Sequence, residues 1–267
     1  MVNQNLKPVI SPKDFVELNY YITEYDKRHF YRLRPRQSYI NSMLGHHATF
    51  FLMGILQRSR FLYLGFTECD VSPLLGFLAA RAHMETTGAV CHVATNLSKY
   101  YANKLDLNKL QEILDRSCLG SRYAPLKEKQ PDTPEPINCL TLIDAIDTFL
   151  KDMGKNSSDD IRTVLRNAPI RKQYDFLSEV CHPNSLGLVE NQQFGSSGII
   201  FPRQPKLKKN FNSVLTPFLI SCKLFFVAYD YCFKKIKAKE EMPDLDKESL
   251  VENFKNSIWR FFNRSIA

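Results

Sequence analysis

Residues for tight turns are scarce in this sequence, which has 10 glycines and 14 prolines among its 267 residues. A β-sandwich or β-barrel of this length needs many more such turns, so the composition disfavours an all-β fold. The hydrophobic share of 44% and the charged share of 24% are ordinary for a globular chain long enough to bury a full core. We therefore expect an all-α fold, a multi-helix bundle in one domain that spans residues 1–267.

Several catalytic and cofactor motifs are also absent from the sequence. It contains no Gly-rich phosphate loop of the P-loop or dinucleotide type and no G-x-S-x-G element. The adjacent residues His46 and His47 cannot both face one metal on a helix, and paired Glu-x-x-His motifs are missing. We expect neither a cofactor nor a bound metal.

Disulfide and export signals are lacking too. The seven cysteines are odd in number and include no CxxC pair, which is typical of free thiols in a reducing compartment. The N-terminal residues contain no apolar stretch of the kind found in signal peptides. The apolar run 217–233 contains Lys223 and Asp230, which would be costly at the centre of a bilayer, so we expect a buried core helix there. These patterns predict a cytoplasmic protein that does not enter a membrane.

Caps and breakers divide the chain into helices. Ser11-Pro12 and Ser72-Pro73 both combine an N-cap residue with a proline at the first helical position, and Asp244 or Asp246 would cap the last helix. The first expected helix begins at about residue 12. The others cover about 38–62, 72–101, 108–119, 139–153, 158–167, 170–181, 216–239 and 244–261. A Pro-rich loop at about 121–136 and a small β-hairpin near 187–203 complete the prediction.

The segment from Ser72 to Tyr101 predicts a long central helix that is buried in the bundle. At about 100° per residue, Arg81, Glu85 and His92 lie on one face together with large apolar residues. An internal charge without a partner is costly, so Arg81 and Glu85 must compensate each other. In one interpretation they form a structural ion pair, with His92 as a core histidine. In the other they line a pocket in which Glu85 or His92 exchanges protons and Arg81 holds an anionic group.

A second group of polar residues lies in the helix predicted at 170–181. Tyr174, Ser178 and Cys181 share a face of this helix, and His182 ends it. His182 would either cap the helix C-terminus, where a cationic side chain interacts well with the helix dipole, or contribute to a site.

These two segments resemble the motifs of a known family. Arg81-Ala-His-Met-Glu85 and the run from Tyr174 to His182 resemble the R-x-x-x-E and Y-x-x-L-S-x-x-x-H elements of a family of bacterial helical proteins grouped with HEPN-like domains. The resemblance implies a helical bundle whose polar positions face one another across two helices. Those positions would be Arg81, Glu85, Tyr174, Ser178 and His182. It also implies a part in a bacterial defence or toxin-like system.

Many HEPN domains are ribonucleases that use an arginine and a histidine at a short spacing, and this sequence departs from that pattern. Ten residues separate Arg81 from His92, and ten separate Arg171 from His182. The sequence therefore favours a HEPN-like protein without catalysis. The alternative is a ribonuclease in which His182 or His92 acts as acid and base while Arg81 stabilises phosphate charge.

Positive charge is in excess, and the net charge of +8 permits contact with RNA or with another protein. The candidate nucleic-acid surface is interleaved with aromatic side chains and consists of Arg28, Arg32, Arg34 and Arg36. An ordinary solvated face is the alternative for these charges. A third reading of the protein is an adaptor that self-associates into a homo-oligomer through its aromatic C-terminal residues Trp259, Phe261 and Phe262.

Overall fold

The computed structural model describes residues 9–34, 43–68, 73–154, 170–183, 193–195, 198–200 and 207–246. Within these ranges the chain is mostly helical, and the predicted all-α bundle is confirmed. The helices are α1 (Pro12–Arg28), α2 (Met43–Thr67), α3 (Pro73–Tyr101), α4 (Leu107–Cys118), α5 (Ala124–Lys129), α6 (Cys139–Gly154), α7 (Ile170–Cys181) and α8 (Leu207–Lys239). The strands are β1 (Arg32–Arg34), β2 (Gln193–Gly195), β3 (Gly198–Ile200) and β4 (Asp244–Asp246).

Local sequence signals start α1 and α4. The Ser11 hydroxyl accepts a hydrogen bond from the backbone N–H of Asp14 at 3.1 Å, and Pro12 occupies the first helical position. Asp106 caps α4 in the same way, accepting from the N–H of Lys109 at 2.8 Å. Such caps satisfy N–H groups that have no partner inside the helix, and each contributes about 1 kcal/mol. The prediction for the start of α1 is confirmed.

The 29-residue helix α3 is the centre of the bundle and contacts α2, α4, α6, α7 and α8. Its buried side chains are mostly small or aliphatic, so neighbouring helices can approach it from several sides. The buried apolar side chains are Phe77, Ala80, Met84, Val90, Cys91, Val93, Ala94 and Leu97. At Gly88 the approach is so close that a Cβ atom would lie 2.6 Å from the carbonyl carbon of Leu142 in α6. The prediction of a long buried central helix is confirmed.

The second long helix, α8, begins earlier than its sequence suggests. We expected this helix to start near residue 216, after a basic cluster of lysines. The helix instead starts at Leu207 and runs through Pro217, so the predicted start is wrong. Phe211 and Val214 are buried and anchor the turns before the proline. This packing outweighs the roughly 3 kcal/mol that an internal proline costs.

The Pro-rich segment 121–136, predicted as a loop, contains the short helix α5. Pro125 lies in the first turn of α5, where a missing N–H costs nothing because those N–H groups have no helical partner. The prediction of irregular structure is therefore wrong for Ala124–Lys129. The ends of the segment meet, since the Ser121 N–H donates to the Pro134 carbonyl at 3.0 Å.

Two antiparallel pairs of short strands accompany the helices. β2 pairs with β3, which confirms the small hairpin predicted near 187–203. β1 pairs with β4, and Arg32 lies opposite Asp246. The helix that Asp246 would cap lies outside the described residues, but both aspartates belong to a strand, so the prediction that Asp244 caps a helix is wrong. Pairing with a distant segment determines their backbone, and no local pattern shows such a partner.

One predicted helix has other bounds in the structure, and several predictions lie outside the residues that the structure describes. α2 ends at Thr67, later than the predicted range 38–62. The following predictions fall outside the described residues: the helix at 158–167, the last helix after Asp246, the cation Arg36, and the aromatic residues Trp259, Phe261 and Phe262. They stay predictions, as does the expectation of one domain.

One helical stretch among the described residues, Ser213–Lys239, is long and apolar enough to cross a membrane by length and composition alone. In the bundle, 61% of its most apolar 18-residue stretch is buried. Of its charged residues, Lys223 is exposed and Asp230 pairs with Arg28 of α1 at 2.6 Å. This is the environment of the core helix expected at 217–233, and the expectation that the protein does not enter a membrane stays a prediction.

Gly88→Ala tests the close approach of α3 and α6. The added methyl group must displace the Leu142 backbone, so we expect a loss of about 1–3 kcal/mol in the free energy of unfolding, measured by urea denaturation. Gly54→Ala is the matched control, because nothing lies within 4 Å of a Cβ atom at Gly54 in α2. There alanine should stabilise the helix by about 0.5–1 kcal/mol. Equal effects of the two substitutions would contradict this packing.

Candidate functional site

Arg81 and Glu85 lie one turn apart on the face of α3 that meets α7. The Arg81 Nε donates to the Glu85 Oε1 over 3.3 Å. Their side chains are 24% and 27% exposed to solvent, so the pair lies neither deep in the core nor in open water. Solvent screens a pair at this depth, and its direct contribution to stability is about 1 kcal/mol or less.

Tyr174 of α7 completes this group. Its hydroxyl donates to the Glu85 Oε1 at 2.8 Å, and its ring lies 5.7 Å from the guanidinium carbon of Arg81. The tyrosine is buried, with 2% of its surface exposed. Residues from distant parts of the chain therefore meet across α3 and α7. We call Arg81, Glu85 and Tyr174 the polar cluster.

Protonation states in and beside the polar cluster follow from burial and from these contacts. Burial and the hydrogen bond to Glu85 raise the pKa of Tyr174. Burial lowers the pKa of Arg81, but its contacts with Tyr174 and Glu85 outweigh this effect and raise the pKa overall. Burial also raises the pKa of the Cys181 thiol, which lies beside Arg81. At neutral pH Arg81 is charged, while Tyr174 and Cys181 carry their protons.

The other two residues named by the resemblance lie further along α7. Ser178 is half-buried, one turn after Tyr174. The side chain of His182 is exposed, and its backbone N–H donates to the Ser178 carbonyl at 3.2 Å. In the parts of the chain that the structure describes, no hydrogen bond or ion pair joins the His182 imidazole to Arg81 or Glu85. The structure thus joins Tyr174 to Glu85 and leaves the His182 ring outside these bonds.

His92 lies two turns beyond Glu85 on α3, about 10 Å along the helix axis. Its ring is half-buried, and burial, Lys99 and Arg116 lower its pKa. Arg116, one source of this effect, belongs to α4. Within the described residues, no hydrogen bond or ion pair joins the His92 ring to Arg81 or Glu85.

Arg28, the first of the basic residues predicted to contact nucleic acid, is engaged within the protein. Its guanidinium binds both carboxylate oxygens of Asp230, at 2.7 and 2.6 Å, and pairs with Glu24 at 2.7 Å. The guanidinium carbon also lies 4.7 Å from the centre of the Phe226 ring. The hydrogen bonds to Asp230 raise the pKa of Arg28. Bidentate bonds of this kind fix geometry, and they join the end of α1 to α8.

The remaining arginines of that surface differ from one another. Arg34 in β1 pairs with Asp246 in β4 at 2.7 Å. Arg32 in the same strand is exposed, and its guanidinium carbon lies 5.8 Å from the Tyr31 ring. Because carboxylates compensate two of the four predicted cations, Arg28 and Arg34, this surface offers less charge to RNA phosphates than its sequence suggests.

A residue that the sequence does not single out, His83, lies at the centre of the core. It is fully buried, and its Nε2 lies 2.9 Å from the Tyr25 hydroxyl and 2.8 Å from the Ser59 hydroxyl. Its Nδ1 lies 2.8 Å from the Ser221 hydroxyl, which also meets the Thr87 hydroxyl at 2.9 Å. The ring thus connects α3 to α1, α2 and α8. Burial lowers the pKa of His83 to about 3, so the imidazole is neutral at physiological pH.

The helical pattern places His83 on a largely uncharged side of α3, opposite Arg81 and Glu85. That position indicates burial, but the partners of the ring come from other helices, and no spacing within α3 shows them. The signal that could have found the network is a histidine on a buried side of a helix, since a buried polar group needs hydrogen-bond partners.

Within the described residues, no three or more His, Cys, Asp or Glu side chains converge as metal ligands would. No family model, curated protein or solved structure matches this chain. The HEPN-like resemblance stays a prediction from the residues.

Tyr174→Phe removes the hydroxyl that joins α7 to Glu85 and leaves the ring in place. Because the bond has a charged acceptor, we expect a loss of about 1–2 kcal/mol in the free energy of unfolding, measured by chemical denaturation. Tyr123→Phe is the matched control, because Tyr123 is 68% exposed. This change should cost about 0.5 kcal/mol or less. If both variants unfold at the same denaturant concentration, the Tyr174 hydroxyl does not hold α3 and α7 together.

The low pKa of His83 predicts that stability falls as the pH is lowered. The unfolded chain takes up a proton on this residue near pH 6.5, whereas the folded chain does so only near pH 3. Between these values the unfolded state binds more protons, so the free energy of unfolding should fall by up to about 1.4 kcal/mol per pH unit. Urea denaturation of the wild type and of His83→Gln over a series of pH values in this window measures the effect.

The slope of stability against pH is the readout for His83→Gln. The substitution removes ring hydrogen bonds and therefore destabilises the protein at every pH, but it also removes the group that titrates. Carboxylates contribute to the slope in both proteins. Stability should depend less on pH in the variant, and equal slopes would show that burial does not lower the pKa of His83.

Proposed function

We propose that this protein is a HEPN-like helical protein that acts by binding and not by catalysis, in a bacterial defence or toxin-like system. The observation that carries the proposal is the state of the polar cluster. Glu85 accepts hydrogen bonds from both Arg81 and Tyr174, so its carboxylate is already engaged. Acid–base catalysis needs a group that exchanges protons with a substrate near the working pH. In this cluster Tyr174 keeps its proton and Arg81 its charge at neutral pH.

The arrangement of α3 and α7 supports the HEPN-like part of the proposal. The R-x-x-x-E element lies on α3, and the Y-x-x-L-S element lies on α7. Side chains of the two elements meet through the bond between Glu85 and Tyr174. This is the relation that the resemblance implies for the family's polar positions. The part in a defence or toxin-like system is proposed on the same resemblance.

A ribonuclease is the second candidate, and the exposure of His182 favours it. The imidazole is accessible at the end of α7, the helix that supplies Tyr174. In this mechanism His182 or His92 would exchange protons with the RNA. Arg81, a quarter exposed, would stabilise the charge that develops on the phosphate.

Incubation of the protein with total RNA separates the two candidates. If the protein only binds, the RNA remains intact with the wild type, with His182→Ala and with Arg81→Ala alike. If it is a ribonuclease, the wild type cleaves RNA and each substitution lowers the rate by about 100-fold or more. Circular dichroism shows whether the variants remain folded.

Arg122→Ala is the control for the RNA assay. Arg122 lies between α4 and α5, away from the polar cluster, and pairs with the exposed Glu135 at 3.5 Å. Cleavage that persists unchanged in all the variants comes from a contaminating nuclease. Cleavage that is lost in His182→Ala and Arg81→Ala, but kept in Arg122→Ala, would overturn the proposal of a binding protein.

A further inference from the structure

A cavity of about 450 Å³ opens between α2, α4 and β1. Sites for small molecules commonly have volumes of about 300–1,000 Å³ and combine an apolar wall with a few polar groups. This cavity has an apolar wall that includes Leu33, Phe50 and Leu119. Its polar end includes His47 and Asp115. The cavity is separate from the polar cluster, whose residues do not line it.

Gln111 of α4 orders the polar end of the cavity. Its side-chain Nε2 donates to the Asp115 Oδ1 at 3.1 Å and is in hydrogen-bond contact with the Nδ1 of His47. An amide nitrogen has two hydrogens, and both are used when it donates to these two acceptors. The carboxylate at this end of the cavity is that of Asp115, and the rings of His46 and His47 also line the cavity.

Asp115 carries a negative charge that a bound cation would complement. Among the residues that the structure describes, no lysine or arginine pairs with it, and its Oδ1 lies 3.8 Å from the Nδ1 of His47. The adjacent Arg116 is directed instead to Glu112 at 3.5 Å and to the Glu135 carbonyl at 3.0 Å. The Asp115 side chain is 38% exposed, so a ligand in the cavity can reach it.

The apolar wall is exposed at the mouth of the cavity. Phe50 and Leu119 have 59% and 57% of their surface in contact with solvent. An apolar group in the cavity would remove part of this surface from water, which favours binding. Cys118 also lines the cavity, but burial and Asp115 raise the pKa of its thiol to about 11. A protonated thiol is a poor nucleophile, so the ligand would be held without a covalent bond.

We propose that this cavity binds a small molecule with an apolar, ring-sized body and one protonated amine. The body packs against Phe50 and Leu119, and the amine donates hydrogen bonds to the Asp115 carboxylate. Because charge-assisted hydrogen bonds are about twice as strong as neutral ones, the carboxylate selects a cation over an anion of the same shape.

Tryptamine and indole-3-acetate are suitable probes, because they share an indole ring and differ in the sign of their charge. In titration calorimetry of the full chain, tryptamine should bind at least about tenfold more tightly than indole-3-acetate. Asp115→Asn should abolish this preference. Asp132→Asn, in the exposed turn after α5, is the matched control and should retain it.

Phe50→Ala tests the apolar wall independently of charge. It should weaken the binding of tryptamine about fivefold or more, because the ring loses a packing partner. Phe61→Ala is the matched control. Phe61 lies on the same helix with 58% of its surface exposed, close to the value for Phe50, and does not line the cavity.

Several results would overturn the proposal. One is the absence of any heat of binding at millimolar tryptamine. Others are equal affinities for the two probes, or a preference for tryptamine that survives in Asp115→Asn. An equal loss of binding in Phe50→Ala and Phe61→Ala would place the probe elsewhere on α2. These outcomes are independent of the RNA assay, since the residues varied there do not line the cavity.

Discussion

The hydrogen bonds around His83 hold the centre of the bundle in one arrangement. The ring reaches hydroxyl groups from α1, α2 and α8 in a core that excludes water. A shift that broke one of these bonds would leave a buried polar atom without a partner, at a cost of about 1–3 kcal/mol. Rotation of α3 by one residue would break all of them together. The network therefore sets the rotation of α3, on which the other contacts of that helix depend.

The rotation of α3 determines where the polar cluster lies. Arg81 and Glu85 stand two residues on either side of His83, and two residues turn an α-helix by about 200°. When the His83 ring points into the core, these side chains point away from it, and Glu85 meets Tyr174 of α7. The same rotation turns Gly88 towards α6, where only a residue without a side chain fits. One buried imidazole is thus linked to contacts on the other faces of α3.

The polar groups of this protein differ in how much of their surface is exposed to solvent. The His83 network is closed to solvent and neutral, and its role is to keep four helices in register. The polar cluster is about a quarter exposed, and its members satisfy one another. Asp115, at the edge of the cavity, presents a charge to the solvent side. The proposal of binding over catalysis agrees with this distribution, because the members of the polar cluster bond to one another and the accessible carboxylate of Asp115 lies beside an apolar wall.

Caps and periodicity act within a few residues of the chain, and for that reason the sequence by itself determined the helical class, the start of α1 and the long central helix. It also determined that Arg81 and Glu85 compensate each other, since they lie one turn apart on one helix. Only the tertiary structure decided that Tyr174 bonds to Glu85, that α8 continues through Pro217 and that His83 joins four helices. These features depend on packing and hydrogen bonds between segments far apart in the chain, and no local pattern specifies the partner on the other helix.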